Sequence, residues 1–162
     1  MYEASVRMGI GYDAHALVDD RELVLGGVTI PSERGLAGHS DADVLCHAIA
    51  DAVLGGAAMG DLGDHFPSHD DRWAGAASTE FVARAVTMIR TVSLQVSSVD
   101  CTVILEDPPI SKYRPQIKKM LAEVMGLTID RVSVKATTTD RLGFIGRGEG
   151  AAALAVVTLE SL

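Results

Sequence analysis

The chain has 162 residues, 48% of them hydrophobic, and a formal charge of −8 from 14 basic and 22 acidic side chains. That length and apolar content suit one domain with a sizeable core and exclude disorder. The acidic balance excludes broad attraction to nucleic acid, but not a phosphorylated metabolite held locally by metal ions, backbone amides and a few basic groups.

In chain order, 6–11 reads as a strand ended by Gly11, which releases Tyr12, Asp13, Ala14 and His15 into a loop. A second strand covers 22–25, Gly26 and Gly27 break it, and 28–30 continue the sheet. A loop follows over 31–38. Ser40 caps a helix that runs to Gly55 or Gly56, with Asp43 three residues later completing a capping box. The glycine-spaced polar stretch 60–67 is a loop. Ser78 starts a second helix reaching about Thr91, with Phe81, Ala85, Met88 and Ile89 on its inner face. Alternation makes 96–105 a strand that Pro108 and Pro109 end. A third helix over 114–125 tolerates Pro115 in its first turn and stops at Gly126. Strands over 131–136 and 151–159 flank a Thr- and Gly-rich loop. Without repeats or linkers, the expectation is a single α+β domain over 1–162, a mixed four-stranded sheet with helices packed on one face.

Cys46 and Cys101 lack the spacing of a zinc ribbon or redox pair and read as buried thiols of a reducing compartment. Residues 1–13 show no signal-peptide core, and the Ala-rich run 42–59 is broken by Asp43, His47 and Asp51. A soluble cytoplasmic protein without a membrane span is expected.

The chemistry-bearing residues fall into a few groups. Asp13 and His15, two residues apart in extended chain, can turn to one metal. Asp43, His47 and Asp51 are spaced four apart and line one face of an otherwise apolar helix, where a polar group needs a partner or a ligand. Asp13, His15 and His47 form a suitable zinc shell with a fourth position open, and Asp43 or Asp51 would orient the imidazoles from behind. The alternative for His47 is a buried, hydrogen-bonded histidine. His39 and Ser40 precede the helix, where amides and dipole favour an anion. Asp61 and Gly63 belong to a loop suited to sugar hydroxyls, or to a plain tight turn. Thr137, Thr138 and Thr139 at a strand end would cradle a diphosphate, with Asp140 placing a divalent cation against it. The run from Gly143 to Gly150 fails as a dinucleotide loop, because no βαβ unit surrounds it, and instead presents Arg147. No nucleophile elbow or Cys–His dyad can be assembled.

The stretches R-M-G-I-G-Y-D-A-H, G-G-V-T-I-P, G-L-A-G-H-S-D-A-D-V-L-C-H-A-I-A-D-A-V-L-G, G-D-L-G-D-H-F-P, D-C-T-V and V-K-A-T-T-T-D-R-L-G-F-I-G-R-G-E-G run in order from Arg7 to about Leu159. Together they closely resemble the 2-C-methyl-D-erythritol 2,4-cyclodiphosphate synthase family. The resemblance implies conversion of 4-diphosphocytidyl-2-C-methyl-D-erythritol 2-phosphate into the 2,4-cyclodiphosphate with release of CMP, in the non-mevalonate isoprenoid pathway. It implies zinc on Asp13, His15 and His47, and Mg²⁺ or Mn²⁺ on Asp140. His39 and Ser40 would meet phosphate, Asp61 and Gly63 the erythritol, and Thr137 and Thr138 the diphosphate. The cytidine pocket would take in Leu105, Pro108, Ser111 and Ala136, with Phe144 and Arg147 also on the substrate side. A homotrimer around a three-fold axis is implied, with active sites between subunits. Arg147 and Glu149 would lie near that axis, where some relatives hold an isoprenoid diphosphate. Non-catalytic metal-binding scaffolds and zinc-dependent phosphate-ester hydrolases are the rival readings, the latter with Asp43 or Asp61 as base.

Three departures from the family pattern stand out. Asp140 occupies the place of a usual Glu, one methylene longer. Leu105-Glu106-Asp107-Pro108-Pro109 replaces Ala-Gln-x-Pro-Lys, removing a lysine beside the nucleotide phosphates, for which Lys112 is the candidate substitute. Ser98 replaces a frequent Asn.

Overall fold

The computed structural model describes residues 6–162; residues 1–5, within the stretch read above as leader-free, lie outside the described residues. The chain opens with a long strand, β1 (Arg7–Asp19), followed by the short strands β2 (Leu23–Leu25), β3 (Val28–Ile30) and β4 (Arg34–Leu36). Helix α1 (Val44–Gly56), one-turn helix α2 (Leu62–His65) and α3 (Ser78–Ile89) come next. Then follow β5 (Leu94–Ile104), α4 (Arg114–Met125), β6 (Val132–Thr137), one-turn helix α5 (Gly143–Gly146) and β7 (Gly150–Ser161).

The main sheet has five strands in the order β4-β1-β7-β5-β6, and β2 and β3, expected to continue that sheet, instead pair only with each other as a separate hairpin. Four strands were expected. The fifth is β4, inside the stretch read as a loop, which pairs antiparallel with the far end of β1 through Leu17 and Leu36. Three residues are too few to show a period of two, so pairing rather than pattern makes this strand. The sheet is mixed as expected, because β5 and β6 run parallel with α4 as their crossover.

The face of the sheet turned to the helices is made of small and branched side chains. Gly9 and Gly11 of β1 lie directly under α1: a Cβ at Gly9 would sit 1.8 Å from the Ala52 carbonyl oxygen, and one at Gly11 1.9 Å from that of Ala48. Only glycine admits this approach. Val99, Cys101 and Val103 of β5 and Ala153, Ala155 and Val157 of β7 are buried on the sheet, and Ile49, Val53, Ile89, Ile117 and Leu121 close over them from α1, α3 and α4. Each such large aliphatic side chain contributes roughly 1.5–3 kcal/mol by burial. The predicted inner face of α3 is correct for Phe81, Ala85 and Ile89, whereas Val82 is buried and Met88 only half-buried. Helix α4 follows the sequence expectation, ending at Gly126 with φ 68°.

The capping expectation for α1 is overturned. Its N-cap is Asp43, not Ser40, and the Asp43 carboxylate accepts from the amides of Leu45 and Cys46 at 3.2 and 3.1 Å. It also accepts from Gly26 and Gly27 at 2.9 and 2.7 Å, pinning the β2–β3 turn to the helix start. Burial pushes this carboxyl upward, against the amides of Gly27, Cys46 and Gly26 that favour its anion. Asp43 therefore holds the fold together and orients no imidazole. Among the described residues no helix is long and apolar enough to cross a membrane.

Candidate active site

Alternation along β1 carries Gly9, Gly11, Asp13 and His15 on the face that meets α1. Gly9 lies against Ala52 and Gly11 against Ala48, so advancing along the strand retreats along the helix. Asp13 and His15 thus arrive level with the first turns of α1, where His47 projects. They sit inside the strand, paired with Ala153 and Ala151 of β7, and not in the loop expected after Gly11. The glycines give α1 its close seat while leaving β1 paired.

The three side chains converge. Asp13 Oδ2 lies 2.7 Å from His15 Nε2 and 2.9 Å from His47 Nδ1, and the two ring nitrogens are 3.1 Å apart. Behind them each ring has a second contact. His15 Nδ1 donates to the Ala37 carbonyl at 2.6 Å, and His47 Nε2 lies 3.0 Å from Ser78 Oγ and 3.1 Å from Ser40 Oγ. Burial opposes charge on Asp13, but the hydrogen bonds and charge of the two histidines outweigh it and hold its carboxyl well below the usual range. The Asp13 hydrogen bond, opposed by burial, raises the His15 imidazole. One ionised carboxylate and two imidazoles, each with its outer nitrogen engaged, are the donor set of an open zinc site. The set fits the metal, and its three ligand atoms all lie within 4.8 Å of one another.

A cavity of about 380 Å³ opens from this triad. His39, Ser40, Asp61 and Gly63 line it, as do Phe66, Trp73 and Phe81 of an aromatic cluster in which Phe66 and Phe81 stack at 4.9 Å. The loop expected over 60–67 contains α2, capped by Asp61, whose Oδ1 accepts from the Asp64 amide at 3.0 Å. Asp51 does not reach an imidazole. It accepts from the Leu62 amide at 2.6 Å and so ties α2 to α1. The anion seat expected at the start of α1 is taken by Asp43, and the buried Ser40 hydroxyl turns toward His47 and Ser78.

A second cavity of about 250 Å³ lies at the ends of β5 and β6, lined by Leu105, Glu106, Pro109, Ser111, Ala136, Thr137 and Thr138. It shares no residue with the first. Pro108 borders a different depression with Arg34 and Asp107. Asp140 and Arg141 are exposed and held at φ 51° and 65°, a conformation uncommon outside glycine. Glu106 secures them, accepting from the Thr139 amide at 3.1 Å and the Arg141 amide at 3.2 Å. Phe144 packs beside Gly150, and exposed Arg147 pairs with Glu149 at 2.8 Å, both outside the two cavities.

Sequence reasoning gave no site role to Ser78, Asp41, Arg21 or Glu106. Ser78 Oγ donates to Asp41 in a very short contact, and Arg21 donates to the carbonyls of Gly38 and Ser40 at 2.9 Å each. Ser78 and Asp41 are 37 residues apart, and nothing local marks their partnership. Glu106 did register as a departure, and that was a usable signal.

The YgbB family profile matches residues 6–160. A 2-C-methyl-D-erythritol 2,4-cyclodiphosphate synthase of Geobacter metallireducens is 50% identical over 155 residues, covering 96% of this chain and 99% of that one. The protein of the same description from Syntrophobacter fumaroxidans is 49% identical over 96% of this chain and 98% of its own. A solved structure of the bifunctional IspDF from Campylobacter jejuni superposes with a TM-score of 0.95 at 36% identity, over 99% of this chain and 43% of that one. A CDP-bound 2C-methyl-D-erythritol-2,4-cyclodiphosphate synthase gives 0.87 at 33% identity, over 94% and 99%. By sequence, fold and metal triad, this chain belongs to the YgbB family of 2-C-methyl-D-erythritol 2,4-cyclodiphosphate synthases.

Proposed function

We propose that the chain converts 4-diphosphocytidyl-2-C-methyl-D-erythritol 2-phosphate into 2-C-methyl-D-erythritol 2,4-cyclodiphosphate and CMP. The observation that carries this reading is the convergence of Asp13, His15 and His47 on one point at the mouth of a polar cavity. An oxygen of the 2-phosphate bonds to the β-phosphorus, and CMP leaves with the oxygen that bridged the two phosphorus atoms. Zinc held by Asp13, His15 and His47, with Mg²⁺ or Mn²⁺ held by Asp140, would neutralise the charge developing on the phosphate oxygens. The chain's own part is positioning. His39 and Ser40 border the phosphate, Asp61 and Gly63 face the erythritol hydroxyls, and Thr137 and Thr138 offer hydroxyls and amides to the diphosphate. Leu105, Pro108, Ser111 and Ala136 are assigned to the cytidine side, and Phe144 and Arg147 to the substrate surface beyond it. No protein nucleophile is required.

The two cavities share no residue, which fits an active site completed by a neighbouring subunit. The sheet face away from the helices supports such assembly. Met8 and Ile10 are 71% exposed there, and across the strand pair Tyr12 lies opposite Leu154 and Ile10 opposite Val156. An uncovered apolar patch on the central strands of a sheet is expected to pack against other chains. A homotrimer built on this face would bring Arg147 and Glu149 toward the three-fold axis, with an isoprenoid diphosphate as the candidate occupant of the central cavity.

Phosphorus NMR tests the reaction directly. Zinc-loaded protein with substrate and Mg²⁺ should yield the two coupled signals of a cyclic diphosphate together with equimolar CMP. Inorganic phosphate would instead mean a zinc hydrolase. An unchanged substrate spectrum from metal-loaded trimer would mean a non-catalytic scaffold.

A further inference from the structure

The contacts behind His47 form a directional chain. Asp41 Oδ1 accepts from the Ser78 hydroxyl and from the Asp43 amide, and its Oδ2 accepts from the Ser78 amide at 3.1 Å. Both carboxylate oxygens already accept from backbone amides, so toward the Ser78 hydroxyl Asp41 is the acceptor and Ser78 the donor. A hydroxyl carries one hydrogen. Toward His47 Nε2, 3.0 Å away, Ser78 Oγ can then only accept, and Nε2 must hold the ring hydrogen. An imidazole that binds a metal is neutral and has one N–H, so with Nε2 protonated the Nδ1 lone pair is the one offered to the metal, on the side where Asp13 Oδ2 and His15 Nε2 lie. Ser40, 3.1 Å from the same Nε2, cannot impose this order, because its hydroxyl meets Ser78 Oγ and no carboxylate.

We propose that Asp41 and Ser78 are positioning residues of the metal site, a carboxylate–hydroxyl relay that fixes His47 as the Nε2–H tautomer and presents Nδ1 as ligand. This rests on the reading of Asp13, His15 and His47 as a zinc site. The relay is shielded: Ser78 is fully buried and His47 is 7% exposed. It also joins two elements, since Asp41 precedes α1 and Ser78 opens α3, whose N-cap Ala77 supplies no side-chain bond of its own. Asp41 therefore tethers α3 through the Ser78 amide and orders His47 through the Ser78 hydroxyl. The two roles can be separated.

Ser78→Ala removes the hydroxyl but keeps the amide that Asp41 holds, so the tether survives. Zinc affinity, measured by chelator competition, should fall about 10–100-fold, the range for loss of an outer partner of a histidine ligand. In zinc-loaded protein with ¹⁵N-labelled histidine, the His47 Nε2–H signal should be protected from solvent exchange in the wild type and lost or shifted in Ser78→Ala. Asp41→Asn keeps the shape but leaves one acceptor oxygen for the Ser78 hydroxyl, the Ser78 amide and the Asp43 amide together, so the relay loses its carboxylate, and zinc should bind more weakly as well. Zinc affinity within twofold of wild type in both variants, with the Nε2–H signal unchanged, would overturn the relay and leave the zinc site standing. A wild-type chain that binds no zinc would remove both.

Discussion

At the triad every ligand side chain is backed by a second contact: His15 by the Ala37 carbonyl, His47 by Ser40 and Ser78, and Asp13 by the Ala14 amide, which donates to its Oδ1 at 2.9 Å. At the ends of β5 and β6, by contrast, Ala136, Thr137, Thr138 and Asp140 are exposed, and the turn that follows is secured by Glu106 together with the Thr139 hydroxyl, which donates to the Leu142 carbonyl at 2.7 Å. The first region is complete within one chain because a strand and a helix packed at van der Waals distance supply all its ligands. The second offers backbone and hydroxyls to a surface not yet covered. That difference divides the effects of mutation into two kinds.

Removing a ligand is the most severe way to break the first region. His47→Ala should abolish tight zinc binding and lower CMP release about a thousandfold, read by metal analysis and product assay. Gly11→Ala attacks the scaffold beneath it. A Cβ placed 1.9 Å from the Ala48 carbonyl forces α1 off β1. Loss of about 3 kcal/mol of stability is expected, seen in chemical denaturation, with weaker zinc binding in whatever folds. In the second region the effects should be smaller and leave zinc untouched. Asp140→Ala should reduce Mg²⁺-dependent turnover about tenfold to a hundredfold, whereas Asp140→Glu should equal or exceed the wild type. A decrease in zinc affinity in Asp140→Ala would break the division between the regions. Glu106→Ala releases the amides of Thr139 and Arg141 and should raise KM several-fold with little change in kcat, since two hydrogen bonds to a carboxylate are each worth roughly 1.5–3 kcal/mol and water replaces them in part.

The chain itself settled much of this. Pro115 and Gly126 placed the ends of α4, and alternation over 96–105 and the apolar run over 151–159 located β5 and β7 to within a few positions, with β6 found one residue from its expected start. Asp13, His15 and His47 were legible as a donor set because their residue types fit one metal whatever the chain path between them. The family resemblance was legible because its motifs occur in order along nearly the whole chain. Tertiary packing decided the rest. β1 continues through Asp13 and His15 because β7 pairs with it there, and β4 exists because β1 extends far enough to meet it. Asp43 became a cap and a tether to a hairpin 16 residues away, and Asp51 an anchor for α2, so two of three polar positions on one helical face serve the fold. Ser78 reaches His47 from 31 residues away. Local sequence fixes what a residue can donate, accept or ligate, since that is covalent chemistry and short-range sterics. Which partner it finds depends on how distant segments pack to bury apolar surface, and that is set only when the whole chain is folded.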